Sequence, residues 1–252
     1  MSIFVTGDIH GDPRRLSNEI FREQKEMTKD DAVCILGDFG LVLYPEETEL
    51  EALFLDWLDG KNFTTIATLG NHENYDRIAR LPTAEHFGGP VRILRPSVFL
   101  LESGYIYTIG GKTVFNFNGA ASHDIRDGLL DVNDPDWREK ALRMQQEGKY
   151  LFRVKGYSWW PQEVESDDAV YQRGIDALQR VNYDVDFVFT HCAPSEIEEK
   201  MGFHEHNRLT DYLQQIHEKL PEHTQWLFGH YHTNRKVDAG RYCLYEQIVQ
   251  ID

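Results

Sequence analysis

Eight side chains of metal-binding or catalytic type follow apolar runs that have the length of β-strands, and five of the chain's eleven histidines are among them. The eight are Asp8, His10, Asp38, Asn71, His72, His191, His230 and His232. Imidazole, carboxylate and amide oxygen together favour Zn, Mn or Fe, and the set holds no cysteine of the kind that closes a structural zinc site. Eight groups exceed the needs of one tetrahedral ion. They suffice for two metal ions that share a carboxylate, an arrangement suited to in-line displacement at phosphorus.

The elements that would position these side chains alternate in type over the first third of the chain. We predict strands at Ile3–Thr6, Ala32–Leu36 and 64–69, and helices at 13–25 and 46–58. Ligands bind at the carboxyl ends of strands in layered α/β folds, so the polar residues after each run are expected to meet there.

The remainder of the chain predicts more strands and helices and no linker. Segments 91–101 and 105–119 alternate apolar and polar residues, with a hairpin turn at Gly110-Gly111. Further predictions are helices at 134–147 (capped by Asp134), 166–181 (capped by Ser166) and 208–220, strands at 186–190 and Gln225–Phe228, and one closing strand at 241–251. We therefore expect a single domain, 1–252.

Charge narrows the possible partners. The chain has 26 basic and 42 acidic residues, a formal net charge of −16, which disfavours binding to long nucleic acids or to anionic membranes. Cys34, Cys192 and Cys243 match neither a disulfide framework nor a zinc spacing. No apolar window is long enough for a membrane helix, and no basic region precedes the first apolar run. We expect a cytoplasmic protein.

Five short motifs, in order, resemble those of the calcineurin-like metallophosphoesterases. They are GDIHG (7–11), GDFG (37–40), GNHE (70–73), THCAP (190–194) and GHYH (229–232), and the first and third also resemble serine/threonine protein phosphatases. The resemblance implies an α/β fold, a four-layer αββα sandwich of two mixed sheets flanked by helices, with a family-specific insertion around 120–182. It also implies a dinuclear centre of divalent or transition metal ions, Mn2+, Fe or Zn2+.

The same resemblance assigns roles to the eight residues. It implies Asp8, His10 and His232 as ligands of the first metal, Asn71, His191 and His230 as ligands of the second, and Asp38 as the bridge. A hydroxide bridging the two metals would attack phosphorus in line. His72 would be the catalytic acid that protonates the leaving oxygen, and Glu73 is a candidate to orient its ring, a task that the family more often gives to an aspartate elsewhere.

The sequence departs from the protein phosphatases at the arginines that bind phosphate. GDFGLVL lacks their Asp-Arg pair, and Arg77 comes later than the usual arginine after GNHE. We therefore expect substrate contacts from Arg77 and from the loop Ser122–Arg126, favouring His123 and Arg126 and leaving Asp124 as a further candidate.

The leading functional hypothesis is a phosphomonoesterase acting on a small phosphoester or on an exposed phosphorylated group of a partner. The alternative is a phosphodiesterase on cyclic or other nucleotides, with Trp159 and Trp160 as a platform for a base. A non-catalytic scaffold of the same fold is the remote alternative. All seven predicted ligand positions carry a metal-binding residue type, which favours an enzyme.

Overall fold

A computed structural model of the chain describes residues 1–204 and 206–251. Its strands are numbered in chain order. The first sheet contains β1 (Ile3–Thr6), β2 (Ala32–Leu36), β3 (Thr64–Thr68), β4 (Thr83–His86), β5 (Gly89–Arg95), β6 (Val98–Leu101) and β15 (Val249–Ile251). Its order is β15-β1-β2-β3-β6-β5-β4, with β1, β2, β3 and β6 parallel and the remaining strands antiparallel to their neighbours.

The second sheet is also mixed. It contains β7 (Tyr105–Ile109), β8 (Lys112–Phe117), β11 (Phe187–Thr190), β12 (Gln225–Phe228), β13 (Arg235–Asp238) and β14 (Arg241–Cys243). Its order is β13-β14-β12-β11-β8-β7, with β8, β11, β12 and β14 parallel. The predicted hairpin turn at Gly110-Gly111 joins β7 to β8.

The helices are α1 (Glu49–Asp59), α2 (Tyr75–Ile78), α3 (Trp137–Gln146), α4 (Asp168–Arg180), α5 (Ser195–Met201) and α6 (Arg208–His217). Those other than α3 pack on the outer faces of the two sheets. Leu55 and Leu58 of α1 pack on the first sheet, whereas Leu178 of α4 and Leu213 of α6 pack on the second.

Three apolar layers separate four layers of secondary structure. Along β1, Ile3 and Val5 face the second sheet, and Phe4 between them faces α1. Strands covered on both sides are apolar throughout, which explains the unbroken apolar runs in the sequence. The arrangement is the expected αββα sandwich.

The segment between β8 and β11 carries a small unit of its own. The strands β9 (Gly128–Asp131) and β10 (Phe152–Lys155) form a separate two-stranded parallel sheet, and α3 connects them. None of the residues of α3 is buried. This unit lies inside the insertion predicted around 120–182.

The predicted helix at 13–25 is wrong. Two 3₁₀ turns, Pro13–Leu16 and Arg22–Glu26, occupy this segment. Asp12 caps the first turn as predicted, but Ser17 is extended and ends it. The buried side chain of Gln24 donates to the carbonyls of Leu16 and Phe21, so a side chain satisfies backbone groups that a helix would have paired.

The predicted strand at 241–251 is also wrong, because its two ends lie in different sheets. β14 pairs with β12, and β15 pairs with β1. Between them, Tyr245 accepts a hydrogen bond from the Gly7 amide at 3.1 Å. The chain crosses from one sheet to the other at this point.

Three helices begin two or three residues later than predicted. Thr48 forms a capping box with Glu51, so α1 begins at Glu49 rather than at residue 46. Asp136 and Asp167 precede α3 and α4, in place of Asp134 and Ser166. No helix within residues 1–204 and 206–251 has the length and apolar character needed to cross a membrane.

Candidate metal centre

Both sheets bring polar side chains to the same edge of the sandwich. Asp8 follows β1, Asp38 follows β2, and Asn71 and His72 follow β3, all in the first sheet. His191 follows β11, and His230 and His232 follow β12, in the second sheet. The structure places these residues together, in two groups of possible ligand atoms.

The first group consists of Asp8, His10, Asp38 and His232, whose ligand atoms all lie within 4.8 Å of one another. His232 Nε2 is 2.9 Å from His10 Nε2 and 3.2 Å from Asp8 Oδ2. Both carboxylates are buried, whereas both imidazoles reach solvent.

The second group centres on His191. Its Nε2 atom lies 3.2 Å from Asp38 Oδ1 and 3.2 Å from Asn71 Oδ1. The ring of His230 stands edge-on to that of His191, with 4.9 Å between centroids. Asp38 directs Oδ1 to this group, and its Oδ2 lies 3.8 Å from His10 of the first group, as a bridging carboxylate would.

These distances fit metal binding. Two ligand atoms bound about 2.1 Å from one ion lie about 3.0–3.5 Å apart at octahedral or tetrahedral angles. Three of the closest pairs, at 3.2 Å, lie within that range, and the pair His10–His232, at 2.9 Å, lies at its lower edge. Within the described residues, the ion pairs of Asp8 and Asp38 are all with histidines. Buried carboxylates need compensating positive charge, and cations between these donors would supply it.

The charges at His191 support the same interpretation. Burial favours its neutral ring, but the carboxylates of Asp38 and Asp8 outweigh burial and raise the His191 pKa to about 9. A proton on this ring therefore occupies a position where the field of two carboxylates would also hold a cation.

Hydrogen bonds to neighbouring residues fix the orientation of the possible metal ligands, which we call donors, in these two donor groups. The Nδ1 atom of His191 donates to the Leu36 carbonyl at 2.8 Å, which leaves Nε2 directed at Asp38. The Asn71 amide donates to Ser122 Oγ at 3.1 Å, and Ser122 donates to Glu163 at 2.6 Å. Asn71 Oδ1 is thereby turned toward the second group. No motif or spacing pointed to Glu163, which lies in the later part of the insertion.

Four of the donor residues have left-handed backbone conformations. The φ angles are +45° at His10 and Asp38, +69° at His230 and +48° at His232. Such conformations cost about 1–3 kcal/mol each outside glycine and are retained where the surrounding structure requires them. Here they turn the side chains out of the strand ends and into the groups.

Two glycines, Gly70 before Asn71 and Gly229 before His230, leave room for the carboxylates of the donor groups. A Cβ atom at Gly70 would lie 2.2 Å from Asp38 Oδ1, and one at Gly229 would lie 2.1 Å from Asp8 Oδ1. Neither glycine has a positive φ, so a sharp turn is not the reason for glycine at these two positions.

His72 lies next to the two donor groups but is not a member of either. It lines a cavity of about 260 Å³ together with Asp38, Asn71, His230 and His232. Its Nε2 atom is 3.8 Å from Asp124 Oδ2, and burial lowers the His72 pKa.

Glu73 does not orient the His72 ring. It is fully buried and accepts hydrogen bonds from the amides of Phe39 at 2.7 Å and Gly40 at 3.2 Å. Burial and the nearby Asp38 raise the pKa of Glu73 to about 8. Its role is to hold the turn that carries Asp38, and Asp124 is the carboxylate that faces His72.

Of the three residues predicted to contact substrate, the structure places one at the cavity and two away from it. His123 lines the cavity and stacks on His230, with 4.4 Å between ring centroids. Arg126 is exposed and is not among the lining residues. Arg77 is buried and pairs with Glu51 at 3.0 Å, so the structure does not bring it to the site.

Phe203 and Tyr231 form an apolar wall of the cavity that sequence reasoning missed. The tryptophan platform is also not formed as predicted. Trp160 is 2% exposed and belongs to the core.

Comparison with known families agrees with this geometry. A sequence profile described as Calcineurin-like phosphoesterase matches residues 1–234. No curated protein shows significant similarity to the chain.

Proposed function

The chain belongs to the calcineurin-like phosphoesterase family, and we propose that within it the protein is a phosphomonoesterase acting on a small phosphoester or on an exposed phosphorylated group. Family membership and the donor groups support metal-dependent phosphoester hydrolysis. The preference for monoesters is the further step that the proposal adds.

One observation carries the proposal. Two groups of donors share Asp38, and a half-buried histidine outside both groups, His72, lies on the wall of the same cavity. A site with two cations and an independent proton donor has the parts that hydrolysis of a phosphoester requires.

The residues present determine which metals fit. Asp8, His10, Asp38 and His232 would hold one ion, and Asp38, Asn71, His191 and His230 the other. Nitrogen and oxygen donors without a thiolate suit Mn2+, Fe or Zn2+. When bound, such ions neutralise the phosphoryl oxygens and lower the pKa of water, so that a nucleophile is present near neutral pH.

The remaining chemistry falls to the protein's own side chains. His72 would transfer a proton from Nε2 to the leaving oxygen as the ester bond breaks. Asp124 faces that ring and favours its protonated form, against the effect of burial. Phe203 and Tyr231 line one side of the cavity with aromatic rings.

The cavity's lining favours monoesters over nucleotide diesters. A phosphodiesterase on nucleotides would use an accessible aromatic platform, and Trp160 of the candidate pair is buried in the core. A volume of about 260 Å³ accommodates a phosphoryl group and a small leaving group. Larger substrates would present an exposed phosphate and leave their bulk outside.

A direct assay tests the proposal. The purified protein would be analysed for bound metal, and hydrolysis of an aryl phosphate monoester would be compared with that of a bis-aryl diester in Mn2+. We expect bound metal and faster turnover of the monoester. Faster turnover of the diester would establish the alternative, a phosphodiesterase. Metal without turnover of either ester would favour a non-catalytic scaffold.

The three buried cysteines support a cytoplasmic location. Cys34, Cys192 and Cys243 are free thiols, as is usual in a reducing compartment. Fractionation of cells that express the protein would test this.

A further inference from the structure

An arginine of the insertion reaches the edge of the candidate site. Arg153 lies on β10, and its Nε atom donates to Asp124 Oδ2 at 2.7 Å. The same oxygen is 3.8 Å from His72 Nε2. One carboxylate oxygen therefore joins the guanidinium to the proposed proton donor.

The hydrogen bonding of Asp124 is incomplete. Nε and Nη2 of Arg153 both contact Oδ2. Oδ1 is buried and has no hydrogen-bond partner within the described residues. A buried carboxylate oxygen without a partner is costly, so the pair with Arg153 leaves part of the hydrogen-bonding capacity of Asp124 unused.

Arg153 differs from the other arginine close to the donors. Arg15 donates to the backbone carbonyl of Asp8 at 2.8 Å and also contacts the carbonyl of Tyr245, so backbone groups hold it in place. Asp124 lines the cavity and its side chain is 28% exposed, whereas Arg153 is not among the lining residues and stands behind Asp124, with its side chain 32% exposed.

We propose that Arg153 is a substrate-binding residue whose guanidinium binds non-bridging oxygens of a dianionic phosphoryl group, exchanging Asp124 for the substrate. Asp124, released from the guanidinium, then pairs with His72. This inference rests on the proposed function and names the substrate class of the same site. A planar guanidinium matches two phosphoryl oxygens at once, and a monoester presents more charge to it than a diester.

The competing explanation is a purely structural pair. The two-stranded sheet of β9 and β10 is small, and α3 buries none of its residues, so the pair would serve to tie this unit to the rest of the protein. The two explanations differ in what happens when phosphate binds.

Inorganic phosphate is the probe, titrated by calorimetry into the full-length, metal-loaded protein. We expect Arg153→Ala to weaken phosphate binding about tenfold or more, because charge-assisted hydrogen bonds are lost. Arg153→Lys should recover part of the affinity. Lys155→Ala is the matched control: it removes a charge from an exposed position on the same strand and should leave phosphate affinity unchanged.

A double-mutant cycle tests the exchange itself. Asp124→Asn removes the carboxylate that competes for the guanidinium, so it should tighten phosphate binding. In the Arg153→Ala background that gain should shrink or vanish. With the aryl monoester, Arg153→Ala should raise KM more than it does with the diester.

Unchanged phosphate affinity in Arg153→Ala, with a lowered Tm, would overturn the proposal in favour of the structural pair. If Arg153→Ala does not fold, the same comparison is made with Arg153→Lys. Unchanged phosphate affinity in that variant, together with a fully additive cycle with Asp124→Asn, would overturn the proposal.

Phosphate binding is measured without turnover. An enzyme inactive on both esters whose phosphate affinity depends on Arg153 would therefore refute the proposed function alone.

Discussion

The Nε2 atoms of His10 and His232 lie 2.9 Å apart, although 222 positions separate the two residues in the sequence. His10 follows a strand of the first sheet, and His232 follows a strand of the second. Asp38 and His191 form the equivalent contact in the other donor group, at 3.2 Å. Each group therefore takes its donors from both sheets.

Metal removal should destabilise the protein. An ion bound by donors from both sheets binds the folded chain only, so it stabilises by about 3–4 kcal/mol at 100 to 1,000 times its Kd. We expect dialysis against a chelator to lower Tm and re-addition of Mn2+ or Zn2+ to restore it, as followed by calorimetry. An identical Tm with and without metal would contradict binding between the sheets.

The two donor groups should lose metal separately. His232→Ala removes a donor from the first group and His191→Ala from the second, so each variant should retain about one of two ions. Asp38→Asn should reduce both. Metal per chain, measured by mass spectrometry, checks this, with His223→Ala as a control because that ring pairs with Asp184 on the surface. Equal loss of both ions in each histidine variant would show that the groups do not bind independently.

His72→Ala should keep its metal and lose turnover. A positioned proton donor contributes about 10²–10⁴-fold, and the loss should be greatest for esters with poor leaving groups. A series of aryl phosphates of increasing leaving-group pKa measures this dependence. A loss of metal in the variant would mean that His72 is a ligand and that its assigned role is incorrect.

Gly70→Ala should displace Asp38. The new Cβ would lie 2.2 Å from Asp38 Oδ1, so the carboxylate shared by both groups has to move. We expect reduced metal content and lower Tm. Gly60→Ala is the matched control, because its nearest neighbour would be 3.4 Å away and its backbone is helical. Full metal content in Gly70→Ala would show that the site tolerates the shift.

Asp186 should contribute stability that depends on pH. Partial burial acts to raise its pKa, but hydrogen bonds from the Thr113 amide and hydroxyl, both at 2.8 Å, lower the pKa below the ordinary value. A group whose pKa falls on folding stabilises the protein above its unfolded pKa, about 3.9, and loses that effect as pH falls through the folded value.

Asp186→Asn should therefore cost about 1 kcal/mol at pH 7, and the difference from the unsubstituted protein should shrink below about pH 4. Denaturant unfolding at both pH values measures it. Asp30→Asn, at an exposed position, serves as the control. A difference that persists unchanged at low pH would rule out the carboxylate as its source.

The donors were predictable because their positions depend on local sequence. Apolar runs mark the strands, and in a parallel sheet the residue after each strand lies at the same edge, so Asp8, Asp38 and Asn71 could be grouped without coordinates. Arg77 shows the limit of that reasoning. Its place near GNHE says nothing about Glu51, which pairs with it from α1.

The contacts made by the insertion could not be predicted. Arg153 and Glu163 reach the site only because the chain folds back through β9, α3 and β10, and no periodicity in the sequence encodes that path. The helix predicted at 13–25 was wrong for a related reason. The buried side chain of Gln24 donates to backbone carbonyls that a helix would have paired with backbone amides, and the apolar spacing does not reveal this.

The division of donors between the sheets also determines when, during synthesis on the ribosome, the chain can bind both ions. The first sheet's donors, Asp8, His10, Asp38 and Asn71, are made first, whereas His230 and His232 follow β12 and are the last donors to be made. Until His191 is made, a nascent chain holds three of the four donors of the first group and two of the four of the second. Both groups are therefore complete only after β12 and the residues that follow it have left the exit tunnel.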